Sequence, residues 1–307
     1  MNISKTQKTH RPKVSIGMPV YNGEKFVRDA INFILAQTFT NFELIISDNA
    51  SSDSTEFICR EYVNRDPRIK YIRQNKNMGA AANFQFVLDE AVGDYFMWAA
   101  ADDKWLPAFI SECYAVLEKD INIGFVVTKY AITSRFSPLL ARWRIPDLKC
   151  VTDPDRESRV WKYSKMPFDT HKDNLVYMFW RRKVIADILA KWKQATLNNV
   201  LIGASMNEYA LSLYRGGFID KMLYQKRYPY LPSGHILVPI VDFTFRIIHR
   251  LKGHQLQTNN NPFNAEQHYN ELRIVLKLAG FGEGYISRII EANKYHIKFR
   301  KACKMFH

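Results

Sequence analysis

The sequence is poor in cysteine and has no long apolar run. Its four cysteines are Cys59, Cys113, Cys150 and Cys303. They form no CxxC pair and no dense framework, so we expect reduced thiols, as in a cytosolic protein, rather than a set of disulfides. A membrane-spanning helix needs about 20 apolar residues, but the most apolar late stretch, residues 236–245, is interrupted by Pro239 and Asp242. The polar start MNISKTQKTHRPK has no apolar core, so no signal peptide is expected.

Common signatures of nucleotide and nucleic-acid binding are also missing. There is no GxxxxGKS/T loop, and no GxGxxG follows the first strand-like run, so neither a P-loop nor a dinucleotide fingerprint is indicated. The net charge is +14, from 44 basic and 30 acidic residues. Such a balance suits nucleic acid, an anionic membrane surface or phosphate-bearing substrates. Because no RRM, KH, zinc-finger or helix-turn-helix pattern accompanies the charge, we do not expect nucleic acid as a partner.

The composition and periodicity of the first 100 residues predict a parallel α/β sheet. The chain has 307 residues, of which 47% are hydrophobic, which is ample for a buried core. Strand-like runs at 14–20, 42–46, 69–73 and 95–99 alternate with helical patterns at 24–36, from 55 onward and at 80–91. Strands that alternate with helices in this way form parallel sheets.

The second part of the chain is less regular. We predict helices at 106–117, 183–192 and 202–214, strands at 124–128, 174–180 and 223–228, and long loops over 134–173. The expected organisation is a polar arm (1–12), a first half (13–125), a second half of the same domain (126–235) and a basic amphipathic extension (236–307). From residue 235 onward the chain holds 11 Lys/Arg and 5 Asp/Glu, so the extension is basic.

Polar groups follow three of the predicted strands. They are Pro19 to Asn22, Asp48-Asn49 and Asp102-Asp103. Open parallel sheets bind ligands beyond the carboxyl ends of their strands, and hard divalent cations take carboxylate and phosphate oxygens together. The Asp pair therefore indicates a Mg²⁺ or Mn²⁺ site beside a diphosphate. Two other interpretations stay open: the pair can cap a helix that starts near Leu106, and Asp48 can close an Asx turn.

Several ordered motifs resemble those of family 2 glycosyltransferases. They are VSIGMPVYN at 14–22, QTF at 37–39 after the first helix, FELIISDNASSDST at 42–55, NMG at 77–79 with Asn83, and GDY at 93–95 leading to Asp102-Asp103. The resemblance covers about residues 12–125 in order and extends weakly to about 230.

The resemblance implies a GT-A-type fold, a mostly parallel sheet flanked by helices and followed here by a largely helical extension. It also implies transfer of a sugar, with inversion, from a UDP- or GDP-type donor to an acceptor hydroxyl. The donor-binding residues that it implies are Pro19, Tyr21, Asn22, Asp48, Asn77, Gly79, Ala101 and Asp102. The implied ligands of the Mn²⁺ or Mg²⁺ ion are Asp102 and Asp103. A plain turn is the other interpretation of Asn77 and Gly79.

The sequence departs from the family pattern at two positions. The first Asp of the D-x-D motif is replaced by Ala100, which predicts weaker metal affinity. Many relatives carry the catalytic base where this chain has Ser205. Glu208 lies one helical turn later on the same face and is our candidate base, although a solvated glutamate on the helix surface is an alternative.

One alternative concerns the wider function. A catalytically idle relative that binds a nucleotide sugar or a partner would also explain Ala100 and Ser205.

Basic and amphipathic segments suggest further contacts. The basic pairs Arg181-Arg182 and Lys226-Arg227 are expected to contact donor phosphates or to be solvated. The amphipathic stretch 285–306 either packs on the domain or lies on an anionic membrane. We expect a glycan or lipid-linked acceptor and a cytoplasmic protein, peripheral on the inner face of a membrane.

Overall fold

The computed structural model describes residues 11–134, 147–166, 176–195, 204–228, 265–292 and 294. Its strands are β1 (Val14–Val20), β2 (Phe42–Asp48), β3 (Ile69–Arg73), β4 (Tyr95–Trp98), β5 (Lys104–Trp105), β6 (Ile123–Ser134), β7 (Phe179–Arg181) and β8 (Arg215–Tyr228). Its helices are α1 (Val27–Leu35), α2 (Thr55–Val63), α3 (Ala80–Asp89), α4 (Phe109–Lys119), α5 (Arg156–Ser164), α6 (Arg182–Ala195), α7 (Ala204–Leu213) and α8 (Ala265–Leu278). Residues 283–292 are also helical.

The described strands form one sheet in the order β3-β2-β1-β4-β7-β6-β8-β5. β1 pairs in parallel with β2 and β4, and β2 pairs in parallel with β3. β7 runs antiparallel to its neighbours β4 and β6, while β6 and β8 are parallel. All seven residues of β1 are buried, as expected for a strand with helices on both faces of the sheet. The predicted mostly parallel α/β fold is therefore confirmed.

Helix α3 packs closely on β1 because β1 contains a glycine at the contact. A Cβ atom on Gly17 would lie 2.6 Å from Val87 Cγ2 and 2.9 Å from Phe96 Cζ. Val87 is fully buried on α3. The missing side chain lets the helix approach the sheet and fixes the loop before α3 at the carboxyl edge.

β6 and β8 form a long parallel ribbon that bends over the carboxyl edge of the sheet. β5 pairs with the end of β8 through Lys104 and Trp105, although only residues 99–103 separate β5 from β4. Within that segment the Asp103 N–H donates to the Ala100 carbonyl at 3.3 Å, which brings those two residues within about 7 Å. In the sheet order, β7, β6 and β8 stand between β4 and β5, and neighbouring strands of a flat sheet are about 4.8 Å apart. A segment this short cannot span that distance. The end of the ribbon must therefore curl back over β4.

Three details after β4 differ from the sequence predictions. α5 lies within the segment predicted as loops, and it begins after Asp155, whose side chain accepts from the Ser158 N–H at 2.6 Å. β8 begins at residue 215 rather than 223, because Gly216 and Gly217 allow close packing against Phe125 and Val116. β5 was not predicted, since its two residues carry no periodicity.

The predicted extension is only partly described by the structure. Residues 236–264 and 295–307 lie outside the described residues, while 265–278 and 283–292 of the predicted extension are helical. Within the described ranges, none of the helices combines the length and apolarity that crossing a bilayer requires. A single sheet contains strands of both predicted halves. The boundaries near residues 125 and 235 stay predictions.

Candidate functional site at the carboxyl edge of the sheet

Asp48 ends β2 and is the most enclosed of the predicted donor-binding residues. Its side chain is fully buried. Oδ1 accepts from the Ser51 N–H at 2.8 Å, while Oδ2 accepts from the Tyr71 hydroxyl at 2.7 Å and from Arg73 Nη1 at 2.9 Å. Burial, followed by the hydrogen bond to Asp48, raises the pKa of Tyr71. The Ser51 N–H lies three residues after Asp48, whereas an Asx turn spans two, so the structure does not bear out the Asx-turn interpretation of Asp48.

Arg73 joins three segments of this edge. Besides Asp48, its guanidinium donates to the Ser51 carbonyl at 2.9 Å and lies 3.2 Å from Glu56 Oε2. Sequence reasoning missed Arg73 and Tyr71. The signal was present, because residues 71 and 73 lie on the same face of β3 at its carboxyl end. The side chain of Arg73 is partly exposed, so this cation is available to a ligand beside β2.

The turn after β1 presents Tyr21. Its side chain is 44% exposed, whereas Pro19 is buried within β1. Asn22 adopts a positive φ of 50° and is held by two contacts: its N–H donates to Ser51 Oγ at 2.9 Å, and its Oδ1 accepts from the Ser52 N–H at 2.9 Å. The loops after β1 and β2 therefore form one unit, with the aromatic ring of Tyr21 free to stack on a planar ligand.

The turn before α3 is attached to the same edge. Asn49 Nδ2 donates to Asn77 Oδ1 at 2.8 Å, and Asn77 Oδ1 also accepts from the Gly79 N–H at 2.8 Å. Gly79 has a φ of 83°, and a Cβ there would meet no atom within 4 Å. Asn77 thus makes a turn, and that turn is joined to the end of β2.

A buried polar network of Ser47, Asn83 and Gln74 connects the elements that carry these loops. Ser47 Oγ donates to Asn83 Oδ1 at 2.5 Å, Asn83 Nδ2 donates to the Ser47 carbonyl at 3.0 Å, and Gln74 Nε2 donates to Ser47 Oγ at 3.0 Å. Each connection joins α3 or the end of β3 to β2. Asn83, which belongs to one of the family-like motifs, therefore acts through the loops that it positions.

The two adjacent aspartates have different environments. Asp102 is half-buried, as are Ala100 and Ala101, whereas Asp103 is fully buried. Asp103 Oδ2 accepts from the Tyr224 hydroxyl and lies 3.3 Å from Lys226 Nζ, and its Oδ1 accepts from the Arg227 N–H at 2.8 Å. Burial, followed by the charge of Asp103, raises the pKa of Tyr224 well above its usual value.

These contacts change the interpretation of the Asp pair. Both Asp103 oxygens already have protein donors, so Asp103 is unsuited to the metal-ligand role predicted for it. Nor does the pair cap a helix: α4 begins at Phe109, and its N-cap residue is Ala108. Asp102 is the one of the two carboxylates that remains at the surface of the edge.

The donor set at this edge fits a metal ion only in a limited form. Among the described residues, no group of three or more His, Cys, Asp or Glu side chains could hold a metal. Mg²⁺, however, is commonly bound through one or two carboxylates together with substrate phosphates and water. Asp102 can serve as that single carboxylate. A metal site of this kind forms only when a diphosphate supplies the remaining oxygens.

Glu208 lies apart from the strand ends described above. It is fully buried on α7, and its Oε1 accepts from Ser164 Oγ of α5 at 2.6 Å. The neighbouring Asn207 Nδ2 donates to the Tyr163 hydroxyl, also on α5, at 3.0 Å. The alternative of a solvated glutamate is therefore wrong, and Glu208 belongs to a buried polar contact between two helices.

The basic pair Arg181-Arg182 lies at the opposite edge of the sheet. Arg181 pairs with Tyr95 at the start of β4, and its guanidinium donates to the backbone carbonyls of Leu117, Asp120 and Ile123. The Arg182 side chain donates to the Gly93 carbonyl. Both residues are partly exposed, but neither is near the carboxyl edge, so their predicted phosphate contact is wrong. Lys226 does lie at the candidate site, through Asp103.

Solved structures share this arrangement of strands and helices. TarS from S. aureus, in complex with UDP-GlcNAc, superposes with a TM-score of 0.60 over 92% of this chain and 72% of that chain, at 14% sequence identity. The mannosyltransferase PcManGT from Pyrobaculum calidifontis, in complex with GDP-Man and Mn²⁺, gives a TM-score of 0.51 over 94% of this chain and 70% of that chain, at 17% identity. The protein has the GT-A type of glycosyltransferase fold.

The sequence comparisons identify the family. The model of glycosyl transferase family 2 matches residues 15–185, which is more than half of the chain. This chain belongs to that family.

Curated relatives match a part of the chain. Putative glycosyltransferase EpsE of Bacillus subtilis is 36% identical over 132 residues, 43% of this chain and 48% of that protein. The Escherichia coli enzyme WfgD, named a UDP-Glc:alpha-D-GlcNAc-diphosphoundecaprenol beta-1,3-glucosyltransferase, is 34% identical over 124 residues, 40% of this chain and 48% of that protein. The chain thus matches less than half the length of either relative.

Proposed function

We propose that this protein transfers a sugar from a UDP- or GDP-type donor to the hydroxyl of a glycan or lipid-linked acceptor, with inversion, in surface polysaccharide synthesis. The observation that carries the proposal is the meeting of Asp48 with Arg73, the exposed Tyr21 ring and the half-buried Asp102 at one carboxyl edge. The neighbours that bind UDP-GlcNAc and GDP-Man, and the diphosphoundecaprenol acceptor in the name of WfgD, support this donor and acceptor chemistry.

In this proposal the loops after β1, β2 and β3 bind the nucleoside. Tyr21 offers an aromatic face to the base, and stacking of bases on aromatic side chains is worth about 1–3 kcal/mol per base. The buried carboxylate of Asp48 orients Arg73, whose partly exposed guanidinium is offered to the nucleoside, and Asn77 and Gly79 form the floor of the pocket. The open space beside Gly79 leaves room for a ligand there.

The diphosphate would lie beside residues 100–103, with Ala101 facing the donor. A Mn²⁺ or Mg²⁺ ion held by Asp102 and the diphosphate oxygens would neutralise charge on the leaving group. Because Ala100 supplies no second carboxylate, we expect the metal to bind appreciably only when the nucleotide is present.

Glu208 is the proposed base that accepts the proton of the attacking hydroxyl. Ser164 holds one of its carboxylate oxygens and thereby fixes the side chain. Inversion requires the base on the side of the sugar opposite the diphosphate, and in this proposal Glu208 occupies that side.

Titration calorimetry with UDP and GDP, with and without Mn²⁺, tests the site in the wild type and in Asp102→Ala. We expect nucleotide binding that strengthens with Mn²⁺ in the wild type and loses that dependence in the variant. A nucleotide affinity that changes neither with Mn²⁺ nor with the Asp102→Ala substitution would contradict the role of Asp102. It would favour an idle relative, the second candidate, which Ala100 and the occupied carboxylate of Asp103 support.

Release of diphosphate from a donor sugar separates the two candidates directly. The transferase releases nucleotide diphosphate when a suitable acceptor is supplied, whereas the idle relative binds nucleotide and releases none with any acceptor.

We also propose that the protein acts in the cytoplasm, on the inner face of a membrane that carries its acceptor. The described part of the extension has exposed apolar side chains at Ile274 and Leu278, one helical turn apart on α8, beside basic residues such as Arg273 and Lys277. Helices of this composition bind anionic lipid surfaces. Co-sedimentation with anionic vesicles at low salt is expected, and its absence would remove the support for a membrane surface.

A further inference from the structure

We propose that Asp103 is a positioning residue for the diphosphate and metal, acting by fastening the Asp102 turn to β8. This inference rests on the proposed function, because it concerns how the donor site is held in shape. Asp103 is fully buried and touches no solvent, so it acts on a donor only through its neighbours. Asp102, the adjacent residue in the chain, is the group that it positions.

The three donors to the Asp103 carboxylate all come from one strand. They are the Tyr224 hydroxyl, the Lys226 ammonium and the Arg227 N–H. The two side-chain donors are alternate residues of β8 and lie on the same face of that strand. A carboxylate with donors on both oxygens cannot rotate without breaking a charge-assisted hydrogen bond. The direction of the residue 102–103 backbone is therefore fixed by β8.

The backbone restrains the turn from both sides of Asp103. On its amino side, the Ala99 N–H donates to the Gly17 carbonyl at 2.8 Å and so joins the end of β4 to β1. On its carboxyl side, the Leu106 N–H donates to the Leu223 carbonyl at 2.9 Å. Asp102 lies between these two restraints, and the carboxylate of Asp103 supplies the third, at the residue next to it.

The contact between Asp103 and Lys226 also balances charge. The buried carboxylate of Asp103 needs a compensating charge inside the protein. Lys226 supplies it: its ammonium lies 3.3 Å from Asp103 Oδ2, and its side chain is only 14% exposed. The ammonium also lies 4.2 Å from the centroid of the Tyr177 ring. Lys226 thus compensates the buried carboxylate from within the protein.

Tyr224→Phe is the cleanest test, because it removes one hydroxyl and keeps the aromatic packing. The matched control is Tyr62→Phe, which removes a hydroxyl that donates to Asn32 Oδ1 at 2.7 Å, away from the strand ends. Mn²⁺ affinity is measured by calorimetry in saturating UDP or GDP. Residues that orient a metal ligand commonly contribute 10–100-fold to metal affinity. Tyr224 holds Asp103, which positions the proposed ligand Asp102, so we expect Mn²⁺ binding weaker by at most about tenfold for Tyr224→Phe and no change for Tyr62→Phe. Nucleotide affinity without metal should match that of the wild type.

Lys226 provides a second test that separates positioning from folding. We expect Lys226→Met to weaken Mn²⁺ binding at least as much as Tyr224→Phe, and Lys226→Arg to restore most of it, because the arginine retains the charge beside Asp103. Melting temperatures are measured for all variants. If Tyr224→Phe and Lys226→Met lower the melting temperature while Mn²⁺ affinity stays at the wild-type value, Asp103 is purely structural and the inference is wrong.

The wild-type titration separates a failure of the proposed donor site from a failure of this inference alone. A wild type whose nucleotide binding does not respond to Mn²⁺ overturns the metal-dependent donor site, and with it this inference. A wild type that responds to Mn²⁺, with Tyr224→Phe responding equally, overturns the inference alone.

Discussion

Arg73 Nη1 lies 2.9 Å from Asp48 Oδ2, and the two side chains join the ends of neighbouring parallel strands. Asp48 is buried, so its charge needs compensation inside the protein. Arg73 provides that charge, and the Tyr71 hydroxyl provides a second donor to the same oxygen. The pair therefore sets the shape and the charge of the edge at which we propose that the nucleoside binds.

Tyr71→Phe should lower stability more than the same change at an exposed tyrosine. The variant removes a donor from a buried carboxylate, and we expect a loss of about 1–3 kcal/mol in the free energy of unfolding. Tyr21→Phe, at a side chain that is 44% exposed, should change the free energy of unfolding by less than about 0.5 kcal/mol. Urea denaturation measures both, and equal effects would contradict the importance of the Tyr71 hydroxyl.

Glu208→Gln should abolish transfer while leaving donor binding intact. A positioned general base commonly contributes about 10²–10⁴-fold to the rate, and glutamine keeps the size of the side chain without its basicity. The measurement is release of nucleotide diphosphate in the presence of acceptor, alongside calorimetric nucleotide affinity. Ser164→Ala is the comparison: it releases one oxygen of Glu208 but keeps the carboxylate, so we expect a smaller loss of transfer than for Glu208→Gln. A Glu208→Gln protein with wild-type turnover would assign Glu208 a structural role only.

Asp153 should make the protein less stable in acid. The hydrogen bond from Lys162, followed by that from Ser158, lowers the pKa of Asp153 to about 2, below the value of about 3.9 in an unfolded chain. A lowered pKa stabilises the folded protein above the unfolded value, and this contribution is lost as the pH falls from about 5 to about 2.

Comparison with Asp153→Asn checks this prediction. The difference in unfolding free energy between wild type and variant should be largest near neutral pH and should shrink as the pH falls below about 4. A difference that stays constant over that range would show that the charge of Asp153 does not contribute. Lys162→Met should reproduce part of the effect, because it removes the partner that contributes most to the lowered pKa.

Gly17→Ala should destabilise the contact between β1 and α3 by overpacking. Its Cβ would lie 2.6 Å from Val87 Cγ2, and overpacking a tight core site commonly costs about 1–3 kcal/mol. Val87→Ala frees that space, so the double variant should be more stable than the sum of the two single effects predicts. Gly79→Ala is the control: its cost of about 1–3 kcal/mol arises from a φ of 83° with a ψ of 160°, a conformation almost restricted to glycine, and Val87→Ala should not relieve it.

The first half was predictable because its signals are local. Each of β1 to β4 is a short apolar run, and the rule that ligands bind at the carboxyl ends of parallel strands led directly to Asp48 and Asp102. The partners Tyr71 and Arg73 were present as alternate residues at the end of β3, but only the packed strands reveal which carboxylate they bind.

The second half was harder because its features depend on distant contacts. The prolines of the segment before α5 indicated loops, although Pro154 lies just ahead of a helix capped by Asp155. The start of β8 at residue 215 was not predicted, because Gly216 and Gly217 fit there only through their close packing against Phe125 and Val116. Asp103 is buried and bonded by Tyr224 rather than free to bind a ligand. No local sequence pattern connects two residues so far apart.

That separation has a consequence for how the protein is made. Tyr224 follows Asp103 by 121 residues, so it leaves the ribosome after all of β1 to β7. The first four strands are synthesised early and can pair with one another, but residues 100–103 acquire their final partner only when β8 arrives. Long-range strand pairing of this kind is slow to form. The candidate site is therefore encoded early in the chain and completed late, so the newly made protein gains it only after nearly three-quarters of its length has been translated.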